Sequence, residues 1–359
     1  MTATTNPNFG GETEGLEVAA AYADSIKGKT ILITGVNQGG IGYSTAESFA
    51  SQFPALVIIA GRNTTKVQES IDALKTNYPG VAYRALQLDL STQRGARAAA
   101  NEVLSWSDVP AIDIVVNNAG IMNIPERTLN ADGIEIQFAT NHIGHFVFTN
   151  SIMPKLLKAA GGKPKGAVRI VNVSSLSVTF AGIRWSDMNF EKVNKDLPEE
   201  EQPAYGVHVA WGSKDPENLS YLPLEGYNQS KVANALYSIG LNKRLYSNHG
   251  ILSLVVHPGV IFTELSRYAS PETTAAITGM LKSGTFPIKS LGAGAATTLV
   301  AATDPSLTAP EAKNGKENYG IFLLDCQFGD QILPKAESNE GAERLWKVSE
   351  KLVNENFSW

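Results

Sequence analysis

"TILITGVNQGGIGYSTAESFA", residues 30–50, decides the fold. Its first five letters are apolar or β-branched and read as a buried strand. Glycine then stands at 35, 39, 40 and 42, and a helical pattern begins near Ile41. A strand passing through a glycine-rich turn into a helix brings backbone close to a pyrophosphate, which settles on the helix N-terminus. Gly35, Asn37, Gln38, Gly40 and Ile41 are the expected phosphate-side contacts. Ordinary turns also use glycine, so the flanking strand and helix carry the reading.

Outward from this stretch, short hydrophobic runs recur with helical patterns between them: "ALVIIA" (55–60), "YRALQL" (83–88), "IDIVVN" (112–117), "VRIVNV" (168–173), "ILSLVV" (251–256) and "YGIFLL" (319–324). Continuously apolar strands alternating with helices predict a parallel sheet covered on both faces. Together they predict an α/β, doubly wound, Rossmann-type sheet of seven parallel strands. Residues 1–25, rich in Thr, Asn, Gly and Glu, read as a flexible arm, and 26–359 as a single domain. Two stretches interrupt the alternation, at about 184–224 and about 262–290; the first reads as an insertion, the second as a lid.

Composition sets bounds. A net charge of −5 on 359 residues with 43% hydrophobic letters describes an ordinary globular chain and argues against a nucleic-acid partner. Cys326 is the one cysteine, so no intrachain disulfide and no thiolate metal cluster forms. The first residues lack a basic and apolar secretory pattern, and no run of 18 apolar residues predicts a membrane span. The expected location is cytoplasmic.

Position 62 addresses the nucleotide. An acidic residue about 20 positions beyond the glycine loop would take a ribose 2′-hydroxyl, whereas Arg favours a 2′-phosphate. Twenty on from Gly42 stands Arg62, in "AGRN" with Asn63, and no carboxylate ends that strand. NADP(H) is the expected cofactor.

"LEGYNQSKVANALY", 224–237, places Tyr227 four residues ahead of Lys231, on one helical face. A free phenol titrates near 10. A positive charge ~4 Å away at an effective dielectric of ~20 is worth about 4 kcal/mol, or roughly three pKa units. That would bring the phenol into range for proton transfer. Alone, the pair also describes a half-buried aromatic beside a solvated charge.

With the glycine loop, "NNAG" (117–120) and "YNQSK" (227–231), the chain resembles the short-chain dehydrogenase/reductase family over about residues 28–350. "LDL" (88–90), "TNHIGHF" (140–146), "VNVSS" (171–175) and "HPGVIFT" (257–263) stand in the family's order. "GRN", "SKVANALY" and the closing "AERLWKVSEKLV" are most similar to the retinol-dehydrogenase, protochlorophyllide-reductase and WW-domain-oxidoreductase branch, which acts mostly with NADP(H) on lipophilic carbonyls and alcohols. The resemblance implies roles. Tyr227 is the general acid; Lys231 lowers its pKa and holds the nicotinamide ribose. Ser175, with Ser174 as the lesser candidate, bonds the substrate oxygen, and Asn141 holds a water leading from Lys231 to solvent. Asp89 meets the adenine edge beside Leu90. Asn118, Ala119 and Gly120 line the cofactor, with Pro258, Gly259 and Val260, and Thr263 reaches the carboxamide. Two donors aimed at one developing oxyanion form a coherent set.

The chain departs from the family twice. Its glycine loop carries one residue more than the commonest form, which leaves open which of Asn37, Gln38 and Gly39 touches phosphate. Ser175 and Tyr227 lie 52 residues apart, beyond the usual gap. The extra chain, with Asp196 and Glu199 to Glu201, is expected to cover the helices through which family members pair, giving a monomer; a dimer is the alternative if the segment swings toward the active site and leaves those helices free. Its charges read as a solvated face, with Tyr205, Trp211 and Tyr221 packing on the body or rimming the site. His142 and His145, i and i+3, have no third ligand at sensible spacing and read as structural, so no metal is expected. The expected activity is NADPH-dependent reduction of a bulky lipophilic or aromatic ketone, or the reverse oxidation. The largely apolar Phe180, Ile183, Trp185 and lid motivate that substrate class. A non-redox isomerisation or dehydration on the same fold, and a non-catalytic NADP(H) sensor, are the alternatives; the intact Asn141, Ser175, Tyr227 and Lys231 argue against the sensor.

Overall fold

The computed structural model describes residues 4–284 and 287–359. Among the described residues, ten strands form in chain order: β1 (Thr30–Thr34), β2 (Leu56–Gly61), β3 (Ala82–Gln87), β4 (Ile114–Asn117), β5 (Val168–Val173), β6 (Ile251–His257), β7 (Glu311–Lys313), β8 (Lys316–Tyr319), β9 (Phe322–Leu324) and β10 (Gln327–Phe328). The main sheet runs β10-β9-β6-β5-β4-β1-β2-β3, with every pairing from β9 to β3 parallel. The doubly wound sheet of the expectation is therefore present. It gains an eighth strand, because β10 folds back antiparallel on β9. Asp325 and Cys326 make that turn with φ of 49° and 62°, the left-handed pair a two-residue hairpin needs, and no glycine announces it. β7 and β8 form a separate hairpin.

Successive side chains of a strand point to opposite faces, and the core divides accordingly. Leu32, Ile58 and Val115 enter the layer holding Phe146, Val232 and Trp346. Ile31, Ile33, Val57, Ile59, Ile114 and Val116 enter the layer holding Val18, Phe49 and Leu299. Strand order reverses between β1 and β4, where α/β sheets open a crevice at their carboxyl ends.

The flexible arm is corrected for residues 4–25. Gly15–Ala21 is a helix that lays Val18 and Ala19, both fully buried, on the helices Ile41–Ala50 and Leu291–Thr303. A Cβ on Gly15 would sit 2.5 Å from Ser48 Oγ, so glycine permits the approach. Upstream, Thr5 N donates to Asp304 at 2.7 Å and Gln327 donates to the Phe9 carbonyl at 2.8 Å. Val18, Ala19 and Tyr22 supply an apolar helical face that the polar letters before them hide. Residues 1–3 of the expected arm lie outside the described residues.

The inserted segment is not merely a solvated face. Its anchor is Arg184, a buried guanidinium that bonds Asp187, Asn194, the Lys192 carbonyl at 2.9 Å and the Ser220 carbonyl at 3.1 Å. It also stacks 4.6 Å from the Phe190 ring centroid. Beyond it come short turns and the helix Tyr205–Ala210. The lid carries the helix Pro271–Lys282, none of whose residues is buried, and its residues 285–286 lie outside the described ones. Among the described residues no helix is long and apolar enough to cross a membrane.

Candidate active site

A cleft of about 700 Å³ opens at the strand-order reversal, in the size range of small-molecule sites. Its wall is the glycine turn. Gly35 has φ 72°, and a Cβ there would lie 2.6 Å from the Ala119 Cα. A Cβ on Gly42 would lie 2.6 Å from the Gly35 carbonyl oxygen. Only glycine lets the β1 turn, the helix start and "NNAG" approach so closely. Asn118 stitches them by donating from Nδ2 to the Thr34 carbonyl at 2.8 Å, while Thr34 Oγ1 accepts from the backbone of Asn118 and Ala119 at 3.0 Å each. Such a side-chain-free cradle at a helix N-terminus fits a dinucleotide pyrophosphate.

Of the expected cofactor contacts, Gly35, Asn37, Gly40, Ile41, Arg62, Asn63, Asp89, Leu90, Asn118, Ala119, Gly120, Pro258, Thr263, Tyr227 and Lys231 line this cleft. Gln38 does not: its amide donates to the Glu69 carbonyl at 3.1 Å, so the extra loop residue turns outward. Gly259 and Val260 also lie off the lining. There the chain leaves the cleft, and Val260 accepts from Lys289 N at 3.0 Å. Arg62 is exposed at the end of β2, and among the described residues no carboxylate pairs with it. Asn63 caps the next helix, accepting from Lys66 N at 3.0 Å. Lys66 was missed by the sequence reading: its ammonium crosses the cleft mouth to Glu264, 2.8 Å away.

At the floor, β5 ends in "SS" and the helix Pro223–His249 packs behind it. Ser174 turns its hydroxyl to the Lys231 carbonyl at 2.7 Å. Ser175 is the serine that reaches the Tyr227 phenol. Lys231 Nζ donates to the Val173 carbonyl at 2.8 Å and lies 5.6 Å from the Tyr227 ring centroid. The expectation that Lys231 lowers the phenol's pKa is corrected. Burial pushes the Tyr227 phenol up, with only Ser175 pulling the other way, and burial lowers the Lys231 ammonium to about 8. Both side chains are enclosed, so desolvation sets the direction of both shifts.

Asn141 sits beneath Gly120, with its side chain taken up by Ile121 N (2.8 Å), the Ile121 carbonyl (2.9 Å) and Ser230 Oγ (2.8 Å). Its carbonyl accepts from His145 Nδ1 at 3.0 Å. Asn141 lies in a π-helical turn, Ala139–Ile143, that no residue pattern announces. His145 Nε2 meets Thr34 Oγ1 at 2.9 Å and His142 Nε2 meets Ser349 at 2.8 Å. Burial lowers their pKa values to about 4 and 3, so both are neutral packing residues that face different neighbours.

A family model described as short chain dehydrogenase matches residues 29–187. An uncharacterized oxidoreductase of Schizosaccharomyces pombe is 36% identical over 92% of this chain and 86% of its own length. Human retinol dehydrogenase 14 is 30% identical over 91% of this chain and 86% of its own. The Pseudomonas aeruginosa RhlG/NADP active-site complex shares the fold, with a TM-score of 0.54 at 23% identity over 79% of this chain and 91% of that one. The chain belongs to the short-chain dehydrogenase family, in the branch that includes retinol dehydrogenases. It is an oxidoreductase of that family.

Proposed function

We propose that the protein is an NADPH-dependent carbonyl reductase, or the reverse alcohol dehydrogenase, acting on a bulky lipophilic or aromatic ketone or alcohol. One observation carries the reading. Tyr227 and Lys231 lie on the lining of a cleft whose wall is a side-chain-free glycine cradle, and Ser175 stands beside the Tyr227 phenol. When bound, the nicotinamide supplies the hydride for reduction, or takes it in oxidation. Tyr227 gives its phenolic proton to the carbonyl oxygen as charge builds there, and Ser175 offers that oxygen a hydrogen bond. Lys231 holds the ribose hydroxyls and returns a proton to the phenol, while Asn141 fixes the Ile121 backbone beside it.

Arg62, unpaired among the described residues at the ribose end, supports a 2′-phosphate and hence NADP(H). Ile121, Ile124, Leu265 and Tyr268 on the lining support an apolar substrate. The test is NADPH oxidation against a panel of aryl ketones, alicyclic ketones and quinones, alongside direct titration with NADPH and NADH. Tight NADPH binding with carbonyl-dependent oxidation is the expected result. Binding without oxidation across the panel, in either direction, overturns the reading.

A further inference from the structure

A chain of buried polar groups runs from the inserted segment to the catalytic floor, and the sequence motifs do not account for it. His208 Nε2 lies 2.8 Å from Glu225 Oε2. Asn228 Nδ2 donates to the same oxygen at 2.9 Å, and Ser177 Oγ donates to Asn228 Oδ1 at 2.8 Å. Ser177 Oγ and Ser175 Oγ are 2.6 Å apart, and Ser175 reaches the Tyr227 phenol. His208, Glu225, Asn228 and Ser177 are all buried. We propose that His208 and Glu225 are positioning residues for Ser175, acting through Asn228 and Ser177, so that the insertion sets the orientation of the active-site serine. The inference rests on the reductase reading, which gives Ser175 its task.

The donor directions follow from proton counts. Glu225 stands in the first turn of the helix Pro223–His249, where the macrodipole favours a carboxylate. A carboxylate only accepts, so Asn228 must turn its NH2 group to Glu225 and its carbonyl to Ser177. Ser177 has one hydroxyl proton and spends it on Asn228. Its oxygen therefore accepts from Ser175, while Ser177 N donates to Ser175 Oγ at 3.0 Å. Ser175 Oγ is thereby held in place by two contacts to Ser177, and its proton turns from Ser177 Oγ to the substrate oxygen when one is bound.

His208 is the one buried residue of the helix Tyr205–Ala210. Without it, Glu225 Oε2 keeps Asn228 as a partner but loses the contact that ties the chain of groups to the insertion, and Asn228, Ser177 and Ser175 lose that anchor.

The test uses the full chain with NADP+ added and its serines labelled at 13Cβ. The Ser175 signal is identified by its loss in Ser175→Ala. His208→Leu and Asn228→Ala are expected to shift or split that signal, with NADP+ affinity kept within about twofold. His208→Gln keeps a donor toward Glu225 and is expected to restore it. NADPH oxidation with 9,10-phenanthrenequinone as carbonyl probe is read in parallel. In His208→Leu its kcat falls between about tenfold and a hundredfold at constant KM, and His208→Gln recovers it. A Ser175 signal unmoved in both His208→Leu and Asn228→Ala overturns the proposal, whatever the turnover. A shifted signal in a protein that reduces no carbonyl overturns the reductase reading and leaves the relay standing.

Discussion

Lys66, in the first turn after β2, and Glu264, at the start of the lid, close an ion pair across the cleft mouth with Nζ 2.8 Å from Oε2. Both side chains are exposed, so the pair is weak and salt-screened. Its position nevertheless ties the lid to the ribose end of the cleft. Glu264→Gln is expected to speed NADPH release a few-fold at low salt and to leave the melting temperature unchanged. Stopped-flow displacement of bound NADPH reads it. An off-rate equal to that of the unmutated protein would show that the lid is held elsewhere.

Arg62 offers the sharper test of cofactor choice. One charge-assisted, bidentate contact separates a 2′-phosphate from a hydroxyl by on the order of tenfold to a hundredfold in affinity. The unmutated protein should prefer NADPH over NADH by that margin, and Arg62→Ala should remove most of it. Calorimetric titration with both nucleotides decides the point. Equal affinities before mutation would sink the NADP(H) assignment.

Tyr227→Phe keeps the ring and removes the proton donor. NADPH binding is expected to persist while turnover of any active carbonyl falls by on the order of 10² or more. Near-normal turnover would place the acid elsewhere.

Lys231 carries a prediction of opposite sign for stability and activity. Burial holds its ammonium at about 8 in the folded chain, against an ordinary 10.5. Between those values the unfolded chain binds the proton and the folded chain does not, so stability rises with pH across that window. Below pH 8 both states are charged, and the folded state bears the full cost of burying the ammonium, about 3 kcal/mol. Lys231→Met is therefore expected to melt a few degrees higher than the unmutated protein at pH 7, with the difference closing toward pH 10.5. Turnover should be lost. A variant less stable at pH 7 would show that the bond to the Val173 carbonyl outweighs the desolvation.

The parallel strands, the glycine cradle and the Tyr227–Lys231 helix were legible in the sequence because each rests on local pattern: apolar runs, glycine spacing, an i, i+4 pair. What escaped depends on contacts distant in sequence. The packing of Val18 and Ala19 is decided by helices that begin at Ile41 and Leu291. Gln38 faces outward because Glu69 offers a carbonyl there. The phenol's upward shift reflects enclosure, which no spacing rule reports. Glu225 and Asn228 were in plain view beside Tyr227, but their partners His208 and Ser177 lie on other segments.

Arg184 shows the same limit and yields its own test. Its buried pair with Asp187 is closed by Asn194 and by the Lys192 and Ser220 carbonyls. Arg184→Met leaves Asp187 buried without its cation, a loss expected to cost about 3–5 kcal/mol in denaturant unfolding. The insertion should also become open to trypsin at Lys192 and Lys195. A variant that unfolds at the unmutated denaturant midpoint would show that the insertion is held by its apolar contacts alone.

Assembly was expected to be blocked by the insertion, whose His208 and Met188 carbonyl meet Glu225 and Gln229 of the tyrosine helix, and a second element covers the pairing helices further along. The helix Pro223–His249 is buried without a break from Leu224 to Leu241. Behind it packs the helix Asn339–Val353. A Cβ on Gly240 would stand 2.9 Å from the Trp346 ring, so the two helices meet at a glycine. The helix Gly144–Ser151 is covered in turn, with Phe146 5.1 Å from Trp346 and 5.5 Å from Phe357, and Trp359 edge-on to Trp346 at 6.1 Å. Surfaces already filled by this chain's own aromatics offer no self-complementary patch to a second copy. Light scattering is expected to give a monomer of 38.4 kDa. Replacing Phe357 and Trp359 together by serine uncovers Phe146 and Trp346, and should bring concentration-dependent association. A mass near 77 kDa, about twice 38.4 kDa, for the intact chain would mean that subunits pair through some other face.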